Sequence, residues 1–201
     1  MSNIAIFGAT GMTGLCALKA AVEKGLTVRA FVRDPAKVPD NLRSRVEIVV
    51  GNVLNDADVL KAVEGMDAVA VVLGTNNDLK ATTDLSVGMQ NIVNAMKHHN
   101  VPVVSVCLSA FLFYDVDKVP PVFKELNADH QREFDIAKGS GLKYICVLPP
   151  HIADQPKSGY IIEFDKSPGR VVSKYDLGEF LIDSLSKPEY YEKVCGIMSK
   201  N

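Results

Sequence analysis

The sequence predicts one α/β domain spanning residues 1–201, in which helices cover both faces of a doubly wound, mostly parallel sheet. Three observations indicate this fold class: a glycine-rich turn after the first apolar run, further runs that are apolar at consecutive positions, and helical periodicity between them. Consecutive apolar residues are typical of parallel strands, because helices bury both of their faces. The chain is long enough for one large core, and no linker or repeat divides it.

Strands and helices alternate along the predicted domain. Apolar runs predict parallel strands at 4–7, 26–32, 46–50, 68–73, 103–108 and 144–148, followed by a last strand near 160–164. Helical patterns predict helices after the glycine-rich turn, from about 56, at 83–98, at 121–137 and near 175–185. This alternation, together with the first turn, is typical of a Rossmann fold, for which we expect the strand order 3-2-1-4-5-6-7.

The turn after the first strand carries glycines at positions 8, 11 and 14. Gly8 provides the backbone angles of the turn, Gly11 leaves room for a pyrophosphate, and Gly14 allows the helix to pack against the strand. The free amides of the first helical turn point at the phosphates, and neighbouring threonines add hydroxyl donors. A purely structural turn is the alternative, but the strand–turn–helix context favours a dinucleotide site. The predicted phosphate-binding residues are Gly8, Thr10, Gly11, Met12 and Thr13.

An arginine, Arg33, closes the second predicted strand. NAD-binding versions of this unit have an acidic residue there, which binds the ribose hydroxyls. An arginine would instead form a charge-assisted pair with the 2′-phosphate of NADP, and Lys37 would add a second positive charge. Asp34 leaves room for NAD, although it comes one residue later than expected, and a solvated arginine is a further alternative. The sequence therefore favours NADPH and NADP+ as the cofactor.

Ligands of doubly wound sheets bind beyond the carboxyl ends of the strands, near the first strand. With the phosphates at the glycine turn, the adenosine lies over the second and third strands, and the nicotinamide extends toward the fourth, fifth and sixth. These last strands end in Gly-Thr, Ser109 and Pro-Pro-His, which would converge at the reacting carbon of the nicotinamide. The predicted cofactor-binding residues beyond the glycine turn are Arg33, Asn52, Val53, Leu73, Gly74, Thr75, Pro149, His151 and Ile152.

Two other catalytic patterns fit the sequence less well. Tyr114 and Lys118 match the Tyr-x-x-x-Lys pair of short-chain dehydrogenases, which must lie on one helix, yet prolines follow at 120 and 121. Ser109 also stands closer to the tyrosine than it does in that family. Ser109 and His151 lack the Gly-x-Ser-x-Gly turn of serine hydrolases. Neither pattern is preferred over the site at the strand ends.

Composition argues against several function classes. A formal net charge of −2 gives no general attraction to nucleic acid or to acidic lipid. The four cysteines lack Cys-x-x-Cys spacing and the remaining histidines lack metal-ligand spacing, so we expect no metal site and, from reduced thiols, a cytoplasmic protein. No secretory signal is expected, and the longest apolar stretch, 101–114, is too short to cross a bilayer.

Over nearly its whole length the chain resembles the biliverdin-IXβ reductases, also called NADPH-dependent flavin reductases. These are atypical short-chain dehydrogenases with an NAD(P)-binding domain like that of NmrA. The most specific shared segments are Ser-Ala-Phe-Leu at 109–112 and Pro-Pro-His-Ile-x-Asp-Gln-Pro at 149–156. The other shared segments are Ile-Ala-Ile-Phe-Gly-Ala-Thr-Gly at 4–11, Val-Arg-Asp at 32–34, Asn-Asp-Leu at 77–79, Lys-Val-Pro-Pro at 118–121, Gly-Leu-Lys-Tyr at 141–144 and Ser-Lys at 173–174.

The resemblance implies a monomeric cytosolic enzyme of heme catabolism. Such an enzyme passes hydride from NADPH to flavins, such as FMN and riboflavin, and to linear tetrapyrroles, the non-alpha biliverdin isomers such as biliverdin IXβ. The resemblance places the active-site pair at Ser109 and His151, with Phe111 and Ile152 near the acceptor.

NADPH already carries the hydride, so the protein is expected mainly to hold the two reactants face to face. Phe111 and Tyr114 would form an apolar wall for a flat conjugated acceptor. Ser109 would orient the nicotinamide or the acceptor, and His151 would either donate a proton or only position the reactants. A non-enzymatic NADP(H) sensor, or a quinone or sugar reductase on the same scaffold, is the alternative function.

Overall fold

The computed structural model describes residues 1–200 and contains ten strands and six α-helices in that range. The strands are β1 Asn3–Phe7, β2 Thr27–Val32, β3 Glu47–Val50, β4 Ala68–Val71, β5 Val103–Cys107, β6 Lys143–Leu148, β7 His151–Ala153, β8 Tyr160–Phe164, β9 Val171–Ser173 and β10 Lys193–Ser199. The helices are α1 Met12–Glu23, α2 Asp40–Arg43, α3 Asp56–Val63, α4 Asp84–His98, α5 Lys124–Gly139 and α6 Lys174–Asp183. Within the described range no helix combines the length and apolarity that a membrane span requires.

The central sheet has eight strands in the order β3-β2-β1-β4-β5-β6-β10-β8, and β7 and β9 form a separate two-stranded sheet. All neighbours in the central sheet are parallel except β10 and β8, which are antiparallel. The chain reverses its direction of winding beside β1, which is the switch point of a doubly wound fold. The fold class and the order of the first six strands are therefore confirmed.

Two apolar cores lie on opposite faces of the sheet, and alternate residues of β1 enter each of them. Ile4 and Ile6 are fully buried on the face that α1 and α6 cover. Ala5 and Phe7 are fully buried on the other face, which α3, α4 and α5 cover. Burial on both faces explains why the parallel strands are apolar at consecutive positions.

The prediction for the carboxyl-terminal end of the sheet is wrong. The segment predicted as the seventh strand is β8, which is the outermost strand and runs antiparallel. The neighbour of β6 is instead β10, which the sequence analysis did not predict. Gly196 interrupts the apolar pattern of this strand, but a Cβ there would lie 2.9 Å from the carbonyl carbon of Lys166. A neighbouring segment that is distant in sequence therefore dictates the residue that obscures the strand pattern.

Smaller differences occur near the predicted site. Pro-Pro-His was expected to follow the end of β6, whereas His151 begins a new strand, β7. The helix predicted at 121–137 starts with a 3₁₀ turn at Pro121–Phe123 and becomes α5 only at Lys124. Prolines lack the amide that an α-helix needs, which accounts for the late start.

Candidate functional site

The glycine-rich turn joins β1 to α1 and leaves the first turn of the helix open. Gly8 has φ of +78°, a conformation that favours glycine, and its carbonyl accepts a hydrogen bond of 3.1 Å from the Gly11 amide. Gly11 is the N-cap of α1, and no side chain from the described part of the molecule caps this end of the helix. The amides of the first turn are therefore available to an anion, and the helix dipole favours negative charge there.

The side chains beside this turn differ in accessibility. Thr10 and Gly11 are half-buried, and Met12 is 51% exposed at the first position of α1. Thr13 is buried, so its hydroxyl is less accessible than the threonine pattern suggests. Among the predicted phosphate-binding side chains, those of Thr10 and Met12 are more accessible than that of Thr13.

Beyond the end of β2, Arg33 is exposed and makes no hydrogen bond or ion pair with any residue in 1–200. Asp34, in contrast, has a hydrogen-bond partner. Its carboxylate accepts a hydrogen bond of 3.0 Å from the Ala36 amide and caps a short 3₁₀ turn. Lys37 lies at the end of that turn. The exposed cations therefore remain available for a phosphate, whereas the acidic side chain that could bind ribose hydroxyls has a structural partner.

Asn52 and Val53 follow β3 at the expected adenine end of the crevice. The Asn52 side-chain oxygen accepts a hydrogen bond of 3.0 Å from the Leu54 amide. The backbone amide of Asn52 donates to the Asp58 carboxylate at 2.9 Å. The Val53 carbonyl accepts from the Asn91 side chain at 3.0 Å. Both residues are thus held in a fixed loop at the carboxyl end of the sheet.

Leu73, Gly74 and Thr75 follow β4 and lead into a tight turn. Gly74 is exposed, and the Thr75 hydroxyl donates to the Asp78 carbonyl at 2.5 Å, while the Asp78 amide donates back to Thr75 at 3.1 Å. Asn76 and Asn77 have φ of +53° and +66°, which asparagine tolerates better than most residues. The space beside Gly74 is open, because a Cβ there would meet no atom within 4 Å.

The ends of β5 and β6 are tied to each other by their backbones. The Leu108 amide donates to the Val147 carbonyl at 2.8 Å, and the Ala110 amide donates to the Pro149 carbonyl at 2.9 Å. Ser109, which lies between these two donors, is therefore fixed beside the Pro149–Pro150–His151 segment. The structure thus brings together two of the strand ends that the sequence analysis assigned to the reacting centre.

Ser109 and His151 differ in exposure and in hydrogen bonding. Ser109 is half-buried, and its hydroxyl oxygen accepts a hydrogen bond of 3.2 Å from the Phe111 amide, which leaves the hydroxyl hydrogen free to donate. His151 is exposed and pairs in register with Val171 in the two-stranded sheet. Ile152 is half-buried one position further on.

Aromatic side chains follow Ser109 in the chain. The half-buried ring of Phe111 packs against Phe123 with ring centroids 5.2 Å apart, and Tyr114 is 51% exposed nearby in sequence. Tyr114 and Lys118 do not share an α-helix, because Val116–Lys118 forms a 3₁₀ turn and Lys118 pairs with Asp115 at 3.1 Å. The geometry of the short-chain dehydrogenase pair is therefore not present at these residues.

Nucleophilic and metal chemistry find little support here. The four cysteines are buried free thiols, and burial raises the pKa of Cys107, at the end of β5, to about 12. Such a thiol stays protonated and is a poor nucleophile. Residues 1–200 hold no group of three or more His, Cys, Asp or Glu side chains arranged for a metal ion.

The sequence analysis missed the buried polar residues of α5. Asp129 is fully buried and accepts hydrogen bonds from the Leu85 amide at 3.0 Å and the Ser86 hydroxyl at 2.5 Å, so it caps α4 from a neighbouring helix. Glu133 is fully buried beside His130, whose Nδ1 lies 3.2 Å from the Glu133 carboxylate. The sequence of α5 is so polar that its pattern indicates a solvated helix, and only packing shows these residues inside.

The open helix end, the exposed arginine and the joined strand ends define a dinucleotide-binding protein of the Rossmann type. A family model described as NAD(P)H-binding matches residues 8–188, which is most of the chain. The chain therefore belongs to this NAD(P)H-binding family.

Solved structures share the whole fold at low sequence identity. A Rossmann-fold NAD(P)-binding family protein from Shigella flexneri is 24% identical with a TM-score of 0.79, over 100% of this chain and 97% of that one. A short-chain dehydrogenase/reductase from Veillonella parvula, in complex with NADP, is 16% identical with a TM-score of 0.82, over 100% and 95%. An oxidoreductase from Lactococcus lactis is 19% identical with a TM-score of 0.82, over 99% and 91%. These similarities show the fold.

Proposed function

We propose that this protein is an NADPH-dependent reductase that passes hydride to flat conjugated acceptors. The acceptor classes are flavins, such as FMN and riboflavin, and non-alpha biliverdin isomers, with biliverdin IXβ reduced to bilirubin IXβ. The single observation that carries this proposal is the joined end of β5 and β6, where backbone hydrogen bonds hold the segment of Ser109 and Phe111 beside the segment that leads to His151. The protein is proposed to act as a cytoplasmic monomer.

The choice of NADPH depends on the end of β2. Arg33 is exposed and has no partner in the described chain, while Asp34 is engaged in a cap. A free guanidinium beside the adenosine ribose favours a 2′-phosphate, and Lys37 adds a second charge. The related Veillonella parvula structure was solved with NADP, which agrees with this choice.

When bound, NADPH supplies the hydride, and the residues of this chain position the acceptor. Phe111, supported by Phe123, gives a flat acceptor an apolar surface to lie on. The Ser109 hydroxyl has a free hydrogen that can orient the carboxamide or the acceptor. His151 is exposed, so it can exchange a proton with water at this end of the crevice.

The test is to mix the protein with NADPH and either FMN, riboflavin or biliverdin IXβ and to follow the absorbance of the reduced nicotinamide. Turnover with these acceptors is the expected result. Ser109→Ala should lower kcat/KM by about tenfold, since a positioned hydrogen-bond donor is lost. Ser105→Ala is the matched control, because Ser105 lies on β5, the strand that leads to Ser109, and its hydroxyl bonds only to the Leu181 carbonyl at 2.7 Å.

Two results would contradict the proposal. Tight NADPH binding without turnover on flavins, bilins or quinones would identify a redox sensor. Turnover restricted to quinones or sugars would place the protein in another class of reductase.

A further inference from the structure

A buried network of hydrogen bonds connects the last strand of the protein to the small sheet that carries His151. The Ser199 hydroxyl, at the end of β10, donates to the Asp176 carboxylate at 2.6 Å and accepts from the Ser173 amide at 2.8 Å. All three residues are buried, with Ser173 and Asp176 fully so. A buried hydroxyl that both donates and accepts connects its partners firmly, because neither partner can turn to water instead.

Ser173 extends this network to β7. It is the last residue of β9 and pairs in register with Ala153 of β7. Its hydroxyl donates to the Gln155 carbonyl at 2.7 Å, two residues beyond the end of β7, and accepts from the Tyr175 amide at 3.2 Å. The N-cap residue of α6 is thus bonded to both β10 and the chain leaving β7.

Asp176 fixes the rest of the loop after β7. Its carboxylate accepts hydrogen bonds from the amides of Ser158 at 3.3 Å and Gly159 at 3.0 Å. Lys174 adds an ion pair with Asp154 at 2.8 Å. Successive points from 154 to 159 are therefore bonded to the first turn of α6.

His151 depends on these anchors. The residue is exposed, so its own packing constrains it little, and its backbone lies between two fixed points. Before it, the Pro149 carbonyl accepts from Ala110 at 2.9 Å, and after it the chain is bonded through Gln155 to Ser173. The network therefore holds the chain that follows His151, and the backbone bond between Ala110 and Pro149 holds the chain that precedes it.

We infer that Ser199, Asp176 and Ser173 are positioning residues that set the place of His151 and Ile152 relative to Ser109. The inference rests on the proposed function, since it concerns the acceptor end of that same site. Loss of the Ser199 hydroxyl leaves the buried Ser173 amide without its acceptor and removes one donor from Asp176. The β7 strand then moves relative to Ser109, while the glycine-rich turn, whose own hydrogen bonds involve none of these three residues, keeps its structure.

The experiment compares Ser199→Ala with Ser105→Ala, which also removes one buried serine hydroxyl bonded at 2.7 Å but lies outside the network. Hydrogen exchange of residues 151–159 is measured by mass spectrometry together with the NADPH Kd and the kcat/KM for riboflavin. For Ser199→Ala we expect faster exchange in 151–159, a kcat/KM about tenfold to a hundredfold lower and an NADPH Kd that changes less than the kcat/KM does, because most of the predicted cofactor contacts lie outside 151–159. Ser105→Ala should leave all three at wild-type values, and Ser199→Thr, which keeps the hydroxyl, should restore protection and turnover.

Three outcomes would overturn the inference or its basis. Unchanged exchange in Ser199→Ala would show that the network does not hold β7. Faster exchange with unchanged kcat/KM would show that the position of β7 does not matter for turnover. Absence of turnover in the wild-type protein, with NADPH binding intact, would instead reject the proposed function, and the exchange measurement would then decide alone whether the network fixes β7.

Discussion

Gly14 lies so close to Gly8 that a Cβ atom on Gly14 would stand 2.9 Å from the Gly8 carbonyl carbon and overlap the carbonyl oxygen. Gly8 in turn packs against the backbone of Val72, just past the end of β4. Gly11 differs from both, because a Cβ there would meet the Gly8 oxygen at 3.5 Å, an ordinary contact. The turn therefore needs Gly8 and Gly14 for its packing, whereas the space beside Gly11 is open to a ligand.

Alanine substitutions at Gly14 and at Gly11 should separate effects on folding from effects on cofactor binding. Gly14→Ala forces α1 away from the turn and should lower the free energy of unfolding of the apoprotein by about 1–3 kcal/mol. Gly11→Ala should leave the unfolding transition of the apoprotein near wild type but raise the NADPH Kd at least about tenfold, because the methyl group occupies the space of the phosphates. Thermal unfolding and calorimetric titration measure the two effects. A Gly11→Ala protein that binds NADPH normally would show that the phosphates lie elsewhere.

Arg33→Glu should shift the cofactor preference toward NADH. The substitution replaces a free cation with an acid that repels the 2′-phosphate and can accept ribose hydroxyls, so the NADPH Kd should rise by about ten- to a hundredfold. The ratio of kcat/KM values for NADPH and NADH is the measurement. Lys97→Glu, at the far end of α4, makes the same change of charge away from the site and should not alter the ratio. An unaltered ratio in Arg33→Glu would remove this residue from the 2′-phosphate site.

His151→Ala should raise the acceptor KM several-fold while changing the single-turnover rate at saturating acceptor by less than about threefold. The reason is that His151 is exposed, so water can supply the proton that a dedicated acid would otherwise provide. His98→Ala, which removes an exposed histidine at the end of α4, is the control. A rate about a hundredfold lower, with the pH dependence lost, would assign the acid role to His151.

Glu133→Gln should stabilise the protein above neutral pH. Burial raises the pKa of the Glu133 carboxyl above its ordinary value of 4.5, and the contact with His130 only partly opposes this. The folded protein therefore holds this proton to higher pH than the unfolded chain does, so the stabilising contribution is complete below pH 4.5 and is lost as the pH rises through the folded pKa. Glutamine cannot ionise, so the variant should gain about 2–4 °C in Tm at pH 8 and show a flatter pH profile.

The control for this prediction is Glu125→Gln, which changes an exposed carboxylate on the same helix. Its Tm should follow the wild-type protein across the pH range. Equal pH profiles for Glu133→Gln and the wild-type protein would show that folding does not raise the pKa of Glu133.

Most of the framework could be predicted because its signals are local. Runs such as Ala68–Val71 are apolar at every position since helices bury both faces of the strand, and this pattern is visible in the residues themselves. The glycine-rich turn is equally local, because Gly8 needs a positive φ that few other residues adopt. β10 was missed because Gly196, required by the backbone of Lys166, interrupts the apolar run that would have marked a strand.

By itself, the sequence determined the fold class and the order of the first six strands, and it predicts a dinucleotide site at the glycine-rich turn and a reacting centre at Ser109 and His151. Those features depend on periodicity, glycine conformation and the rule that ligands bind at carboxyl ends of parallel strands. Only the tertiary structure decided that β10 lies beside β6, that Glu133 is buried and that Ser199 connects to the β7 strand. Contacts between segments far apart in sequence decide these features, and such contacts leave no periodic pattern in either segment alone.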